Sequence, residues 1–224
     1  MDSPAQRDRN HPGGAPRGRL VIALLAVILL GWMTGRLIQR AAPIGRDVGG
    51  DPAAQAILRD RDAPMQDVPG ATLTMVVFTD YQCPACRAAH PAMTAAVAAD
   101  GHVRVVWRDW PIFGPQSERA ARVAIATARQ GLYPAVHDAL MTGAVPVDDA
   151  VLRAAVARAG GDWVRVKADL RDHDRAITAQ LIRNQADARR LGLPGTPGYL
   201  IGPRLVTGAI DAATFRAAFA AARG

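Results

Sequence analysis

Leu73-Thr74-Met75-Val76-Val77-Phe78-Thr79-Asp80-Tyr81-Gln82-Cys83-Pro84-Ala85-Cys86 carries an apolar run straight into two cysteines spaced three apart. The first half is rich in β-branched residues and reads as a strand, within Ala71 to Thr79. The second half reads as the start of a helix. Pro84 suits the first helical position, where its missing N–H would have no partner anyway. Cys83 then falls at the helix N-terminus, with the amides of the first turn pointing at its sulfur, and the helix dipole favours a thiolate there. A free thiol with a pKa of about 8.5 is only about 3% ionised at pH 7; lowering the pKa to about 7 makes it about half ionised. Cys86 follows one turn on, close enough for a disulfide after modest local movement. The chain has 2 cysteines in all, so neither is committed to a structural bridge elsewhere. Cys83 reads as the attacking thiol and Cys86 as the resolving one.

Two other readings use the same residues. The cysteines could be packing residues of an ordinary helix, although a proline between them at a strand-to-helix turn argues against it. His90 comes one further turn along and could share the face of Cys86, so a metal site is the second rival. A structural zinc site wants four protein ligands. No second Cys/His pair accompanies this one, and no metal ligand is assigned. His90 is expected to pack beside Pro91, which would kink the helix. A non-enzymatic metal chaperone using the two thiols stays as an alternative. Clustered methionines would support copper handling, but Met65, Met75, Met93 and Met141 are scattered singly.

Three separated motifs occur in order: Phe78 to Cys86, Val103-Arg104-Val105-Val106-Trp107-Arg108-Asp109-Trp110-Pro111, and Gly195-Thr196-Pro197. Together they resemble the DsbA-like branch of the thioredoxin superfamily. The likeness extends upstream to Asp51-Pro52-Ala53-Ala54-Gln55 and Asp62-Ala63-Pro64, and so covers roughly residues 50 to 224. The resemblance implies a thioredoxin fold with a helical insertion, thiol–disulfide exchange on cysteine-containing client proteins, a membrane redox partner that recycles the dithiol, and no bound cofactor. It also makes Pro197 the cis-proline facing the dithiol, with Thr196, Pro197 and Gly198 binding substrate. Gly198 is expected to leave the backbone beside Pro197 open, so that an extended peptide can pair there in strand fashion. Two departures from the family pattern bear on mechanism. Many relatives hold an acidic residue in the strand before the motif, where this chain has Val77. Asp80 could take over that proton-shuttling role or could simply cap the turn. Strongly oxidising relatives place a histidine between the cysteines; Ala85 has no such group, so a weaker oxidant is expected. Thr196 could hydrogen-bond a sulfur and tune the potential. Oxidation of clients is the favoured direction, with a reductase or isomerase of the same fold as the alternative.

The N-terminus carries a second signal. Leu20 to Gly35 is sixteen residues without charge, bracketed by Arg19 and Arg36. It would span roughly 24 Å as a helix, against a bilayer core of about 30 Å. Adding Leu37 and Ile38, with Arg36 snorkelling to the head groups, extends it to roughly 28 Å. Trp32, Met33, Thr34, Gly35 and Arg36 supply no small-residue cleavage site, so an uncleaved anchor is expected over 20–38 rather than a signal peptide. Flanking arginines lie on both sides, so charge sets the orientation weakly. A catalytic disulfide is best used in an oxidising compartment, which places the C-terminal part in the periplasm of a bacterial inner-membrane protein. Lys167 is the sole lysine in an Ala/Arg-rich chain, in keeping with a GC-rich genome.

The formal net charge is +7. Residues 1–46 hold seven arginines against Asp2 and Asp8, a net of +5, which leaves +2 for the remainder. The charge therefore sits beside the apolar segment, where anionic lipid attracts it. The catalytic part is nearly neutral and has no basic stripe, which argues against nucleic-acid binding. The expected organisation is a basic tail (1–19), an anchor (20–38), a flexible linker (39–50) and a domain over 51–224. Asp51 and Pro52 start a short helix through Leu58. Val103 to Trp107 reads as a strand. Tyr199-Leu200-Ile201 and Leu205-Val206-Thr207 form a closing hairpin around Gly202-Pro203, followed by a helix from Asp211 to Ala222. Residues 117–191 read as an inserted helical subdomain that shapes the groove beside Cys83. Gly131, Gly160 and Gly192 fall at its helix stops, and Ser117 and Asp162 at helix caps. His137 and His173 fall inside it with no catalytic role assigned. The overall reading is an α/β chain: a thioredoxin fold with a helical insertion, preceded by one transmembrane helix.

Overall fold

The computed structural model describes residues 17–41 and 44–224. Two compact units divide at Ala42 and Pro43. The first contains α1 (Arg17–Ala41), a continuous helix. Its described side chains, from Val21 to Thr34, are exposed. Among the described residues no helix is long and apolar enough to cross a membrane. The side chains at both ends of the expected anchor, Leu20 and those of 35–38, lie outside the described residues, as does the tail from 1 to 16.

The second unit is built on a six-stranded sheet in the order β1-β6-β5-β3-β4-β2. Its centre is β3 (Leu73–Thr79) running parallel to β4 (Val103–Asp109), with α3 (Pro84–Asp100) as the crossover between them. On the other side β3 pairs antiparallel with β5 (Gly198–Ile201), which turns through Gly202-Pro203 into β6 (Arg204–Thr207). Alternate residues of β3 point to opposite faces, and each face has its own core. Leu73, Met75 and Val77 pack with residues of α3, of the insertion, and of α9 (Ala212–Arg223). Val76 and Phe78 pack with Val48, Ile57, Trp110 and Leu191 on the opposite face. Covering both faces explains why the strand reads as a continuous apolar run rather than an alternating one.

The insertion comprises α4 (Pro115–Thr127), α5 (Tyr133–Thr142), α6 (Asp149–Arg158), α7 (Trp163–Asp172) and α8 (Asp174–Arg190), with a short 3-10 turn after α4. Gly131, Gly160 and Gly192 follow helix ends as expected, and Asp162 caps α7 by accepting from the Val164 and Arg165 amides. Ser117 is not a cap. Pro115 takes the first helical position behind Gly114, so Ser117 falls inside α4, where it is buried and donates to Asp80. The short helix α2 (Pro52–Arg59) begins at the Asp51 cap as the sequence indicates.

The fold also begins earlier than the expected linker over 39–50 allows. Arg46 and Asp47 form β1 against β6, Val48 is buried, and Arg46 Nη2 donates to the Leu191 carbonyl at 2.6 Å. A second two-residue strand, β2 (Met65–Gln66), closes the other edge against β4. On the face away from α3, the fully buried Arg108 is held by Asp60 after α2 and by Asn184 of α8. That ion pair draws α2 and α8 onto the sheet, and a buried guanidinium left without its carboxylate would be costly.

Candidate active site

Strand β3 ends at Thr79, and a tight turn brings the chain into α3. The Cys83 amide donates to the Asp80 carbonyl across this turn, and Cys83 is the N-cap of α3 with Pro84 at the first helical position. Its sulfur accepts from the Cys86 amide at 3.3 Å. Cys83 and Cys86 are free thiols that come within 3.1 Å of each other. The Thr196–Pro197 bond is cis and faces them: the Thr196 carbonyl accepts from Cys83 Sγ at 3.4 Å. Thr196 therefore reaches the sulfur chiefly through its backbone. Its hydroxyl is buried without a nitrogen or oxygen partner, and it bears on both sulfurs in the sense that favours their thiolates.

The two thiols are driven apart in acidity. A hydrogen bond from Cys86 is the largest influence on Cys83. With the Thr196 hydroxyl and the Cys86 and Ala85 amides it outweighs burial, and Cys83 is lowered to about 6. Cys86 lies deeper, and its pKa is raised, first because it donates to Cys83 and then by burial. The arrangement favours the thiolate at Cys83 and disfavours it at Cys86. Pro84 and Ala85 lie at the surface over the pair.

The remaining expected site residues fall as follows. Asp80 is buried and fully engaged: Oδ1 accepts from the Gln82 amide and Ser117, and Oδ2 from the Ile112 and Phe113 amides. Of its two readings the geometry takes the cap, since no free oxygen faces the dithiol. Gly198 does not leave an open edge. It pairs with Phe78 on one side and Thr207 on the other, while the Pro197 carbonyl accepts from Gly208. A glycine is needed there for another reason: a Cβ would come within 2.7 Å of the Leu193 side chain. His90 Nε2 is 2.9 Å from Asp138 Oδ1, and no group of three His, Cys, Asp or Glu is placed to hold a metal among the described residues. His173 sits between α7 and α8, 3.9 Å from Asp169.

Five residues near the site were not singled out from the sequence as functional. Arg87, on the first turn of α3, donates to the Tyr81, Leu140 and Gly143 carbonyls, so one guanidinium ties the active-site turn to the end of α5. Tyr81, Tyr133 and Asp109 are buried together: Tyr133 donates to Asp109 Oδ2 at 2.8 Å, and the two phenol oxygens are 3.4 Å apart. His137 belongs to the same cluster, its Nδ1 3.0 Å from the Tyr81 hydroxyl. Burial is the main influence on Asp109 and raises it to about 7, against the Tyr133 hydrogen bond and the nearby Tyr81 hydroxyl; Asp80 adds to the rise. Burial holds His137 neutral. The available signal was a charged residue ending an apolar strand, in Trp107-Arg108-Asp109.

The model of the DSBA-like thioredoxin domain family matches residues 74–220. The chain belongs to that family. Among solved structures, this DsbA-like domain is similar to a thioredoxin-like oxidoreductase from Silicibacter pomeroyi. The TM-score is 0.70 and the identity 34%, over 75% of this chain and 96% of that one. A periplasmic thioredoxin-like protein from Salmonella enterica serovar Typhimurium gives a TM-score of 0.69 at 30% identity, over 77% and 97% of the two chains. The domain is therefore of the protein disulfide oxidoreductase class. A curated relative from Salinispora tropica, Na(+)/H(+) antiporter NhaA 3, is 29% identical over 91% of this chain. The chain spans about a third of the length of the curated relatives it matches (33% and 35% for the first two).

Proposed function

We propose that Cys83 and Cys86 exchange disulfides with cysteine-containing client proteins outside the cytoplasm, in the oxidising direction. The observation that carries this reading is the split acidity of the pair beside the cis Thr196–Pro197 bond. A client thiolate attacks the Cys83 sulfur of the closed disulfide, and Cys86 leaves. The client's second thiolate then displaces Cys83, whose lowered pKa makes it the better leaving group. A disulfide-bearing partner in the membrane restores the pair. The segment over 20–38 anchors the domain in a bacterial inner membrane, with the catalytic part in the periplasm. Relatives that carry the same stretch within a Na(+)/H(+) antiporter support a life beside the membrane.

Substituting the resolving cysteine tests the chemistry. Cys86→Ala leaves Cys83 able to attack and unable to release, so client-sized adducts accumulate on non-reducing gels. Cys83→Ala yields none. Adducts absent from Cys86→Ala, together with a stoichiometric metal ion lost in either cysteine variant, would overturn the reading in favour of a metal chaperone. The thiol state trapped by alkylation in cells reports the direction: mostly disulfide for an oxidase, mostly dithiol for a reductase.

A further inference from the structure

Disulfide exchange moves a proton at Cys86 in every cycle, and this thiol is buried. It needs a nearby base, yet the strand position beneath it is Val77 and the carboxylate of Asp80 is saturated. Asp109 has the free capacity. It stands directly across from Thr79 in the parallel register of β3 and β4, so the two side chains share the sheet face covered by α3. The Thr79 hydroxyl bears on the Cys86 sulfur. Asp109 Oδ2 is held by Tyr133, while Oδ1 is buried without a partner. A buried carboxyl oxygen without a hydrogen bond is unfavourable unless it has another use.

We propose that Asp109 is the proton acceptor and donor for Cys86, and that Tyr133, Tyr81 and His137 connect it to solvent. The connection is continuous. With Nδ1 protonated, His137 donates to Tyr81, Tyr81 to Tyr133 and Tyr133 to Asp109, at 3.0, 3.4 and 2.8 Å. His137 in turn lines a cavity of about 320 Å³ shared with His90 and the exposed Asp138. The groups facing this path are Asp80 and Tyr81 from the turn, Cys83, Cys86 and His90 from α3, Tyr133, His137 and Asp138 from α5, and Tyr199 from β5. The raised pKa of Asp109 suits a group that must be both acid and base near neutrality.

The assignment rests on the thiol-exchange reading. When a client thiolate opens the Cys83–Cys86 disulfide, the departing Cys86 thiolate takes the Asp109 proton, and Asp109 is reprotonated through the path. In reoxidation, Cys83 thiolate attacks the disulfide of the recycling partner and forms a mixed disulfide, releasing one partner thiolate. Asp109 returns its proton to solvent through the path, and the resulting carboxylate then takes the Cys86 proton. Cys86 thiolate attacks Cys83, and the partner's second sulfur leaves as a thiolate.

Rapid mixing of the reduced protein with glutathione disulfide, followed by acid quench and intact mass across pH 5–9, separates the two steps. Adduct formation reports Cys83, and adduct decay reports Cys86. In the unaltered protein, decay inflects near pH 7, where Asp109 titrates. Asp109→Asn slows decay at pH 7 by about tenfold or more and removes the inflection, while adduct formation is unchanged. An identical decay profile in folded Asp109→Asn overturns the proposal. Should that variant fail to fold, Tyr133→Phe decides: losing its hydrogen bond to the carboxylate moves the inflection to higher pH, and an unmoved inflection overturns the proposal equally. Absence of any adduct at Cys83 overturns the thiol-exchange reading itself.

Discussion

Cys83 is an anion in waiting because three kinds of donor converge on one sulfur: a neighbouring thiol, a neighbouring hydroxyl, and the amides of a helix start. No side chain between the cysteines contributes, since that of Ala85 carries no polar group. The rate of alkylation should therefore rise with pH through an inflection near 6 and flatten above it, well below the about 8.5 of an ordinary thiol. The sign follows from the thiolate being the reactive form. Cys86, held protonated, should not contribute to the same titration. Because a more stable leaving thiolate makes a more oxidising disulfide, the potential should lie between about −270 and −120 mV. Ala85→His should raise it, measured against glutathione buffers. A value already at the oxidising end in the unaltered protein would show that Thr196 and the helix amides suffice. Asp109 belongs to the same scale but was not legible in the same way. The cysteine motif is local, readable from neighbours in sequence. The use of Asp109 depends on the register between two strands and on burial by a helix from the insertion, and neither is written near residue 109.

At the scale of elements, the active-site turn is clamped from two directions. Asp80 gathers the amides after β4 and the start of α4, and Arg87 gathers the carbonyls at the end of α5. The cis-proline loop is fixed by the packing of its following strand against Leu193. Gly198→Ala should accordingly destabilise the domain by about 1–3 kcal/mol, the usual cost of forcing an extra methyl into a filled interior. Its denaturant midpoint should fall, and Leu193→Ala should cost less in the Gly198→Ala background than in the unaltered protein. A midpoint unchanged by Gly198→Ala would show that Leu193 moves aside freely. The central strands, the closing hairpin and the helix caps at Asp51 and Asp162 were legible because their signals are periodic or capping patterns within a few residues. Ser117 misled for a physical reason. Its hydroxyl has the chemistry of a cap, but Pro115 starts the helix earlier and Asp80 claims that hydroxyl from across the chain. Strands of two residues have no period to detect, so β1 was read as linker and β2 was not seen.

At the scale of the whole molecule, the proposed reading assigns the chemistry to the thioredoxin-like domain and its placement to the N-terminal segment. If the segment over 20–38 anchors the chain, full-length protein should remain in the membrane fraction after high-salt and carbonate washing. A fragment starting at residue 44 should be soluble with its dithiol chemistry intact. Recovery of full-length protein in the soluble fraction would remove the anchor from the reading and leave the chemistry untouched. The fragment boundary matters, because Arg46 and Val48 are part of the fold. Cutting at 51, where the sequence pattern places the domain start, would strip an edge strand from the sheet.

The two sheet edges have a consequence for the company this protein keeps. A catalyst of disulfide exchange meets unfolded chains, whose extended segments seek any exposed row of backbone donors and acceptors. A long, flat outer strand would act as a template and collect them, ending in aggregates rather than turnover. Here each outer strand is two residues long, and β1 carries charge at both positions, Arg46 and Asp47. Such an edge offers too short a run for a stray segment to seat itself. Under the proposed exchange reading, visiting chains are left with the face at Pro84 beside the dithiol, where a contact would end in sulfur exchange and release.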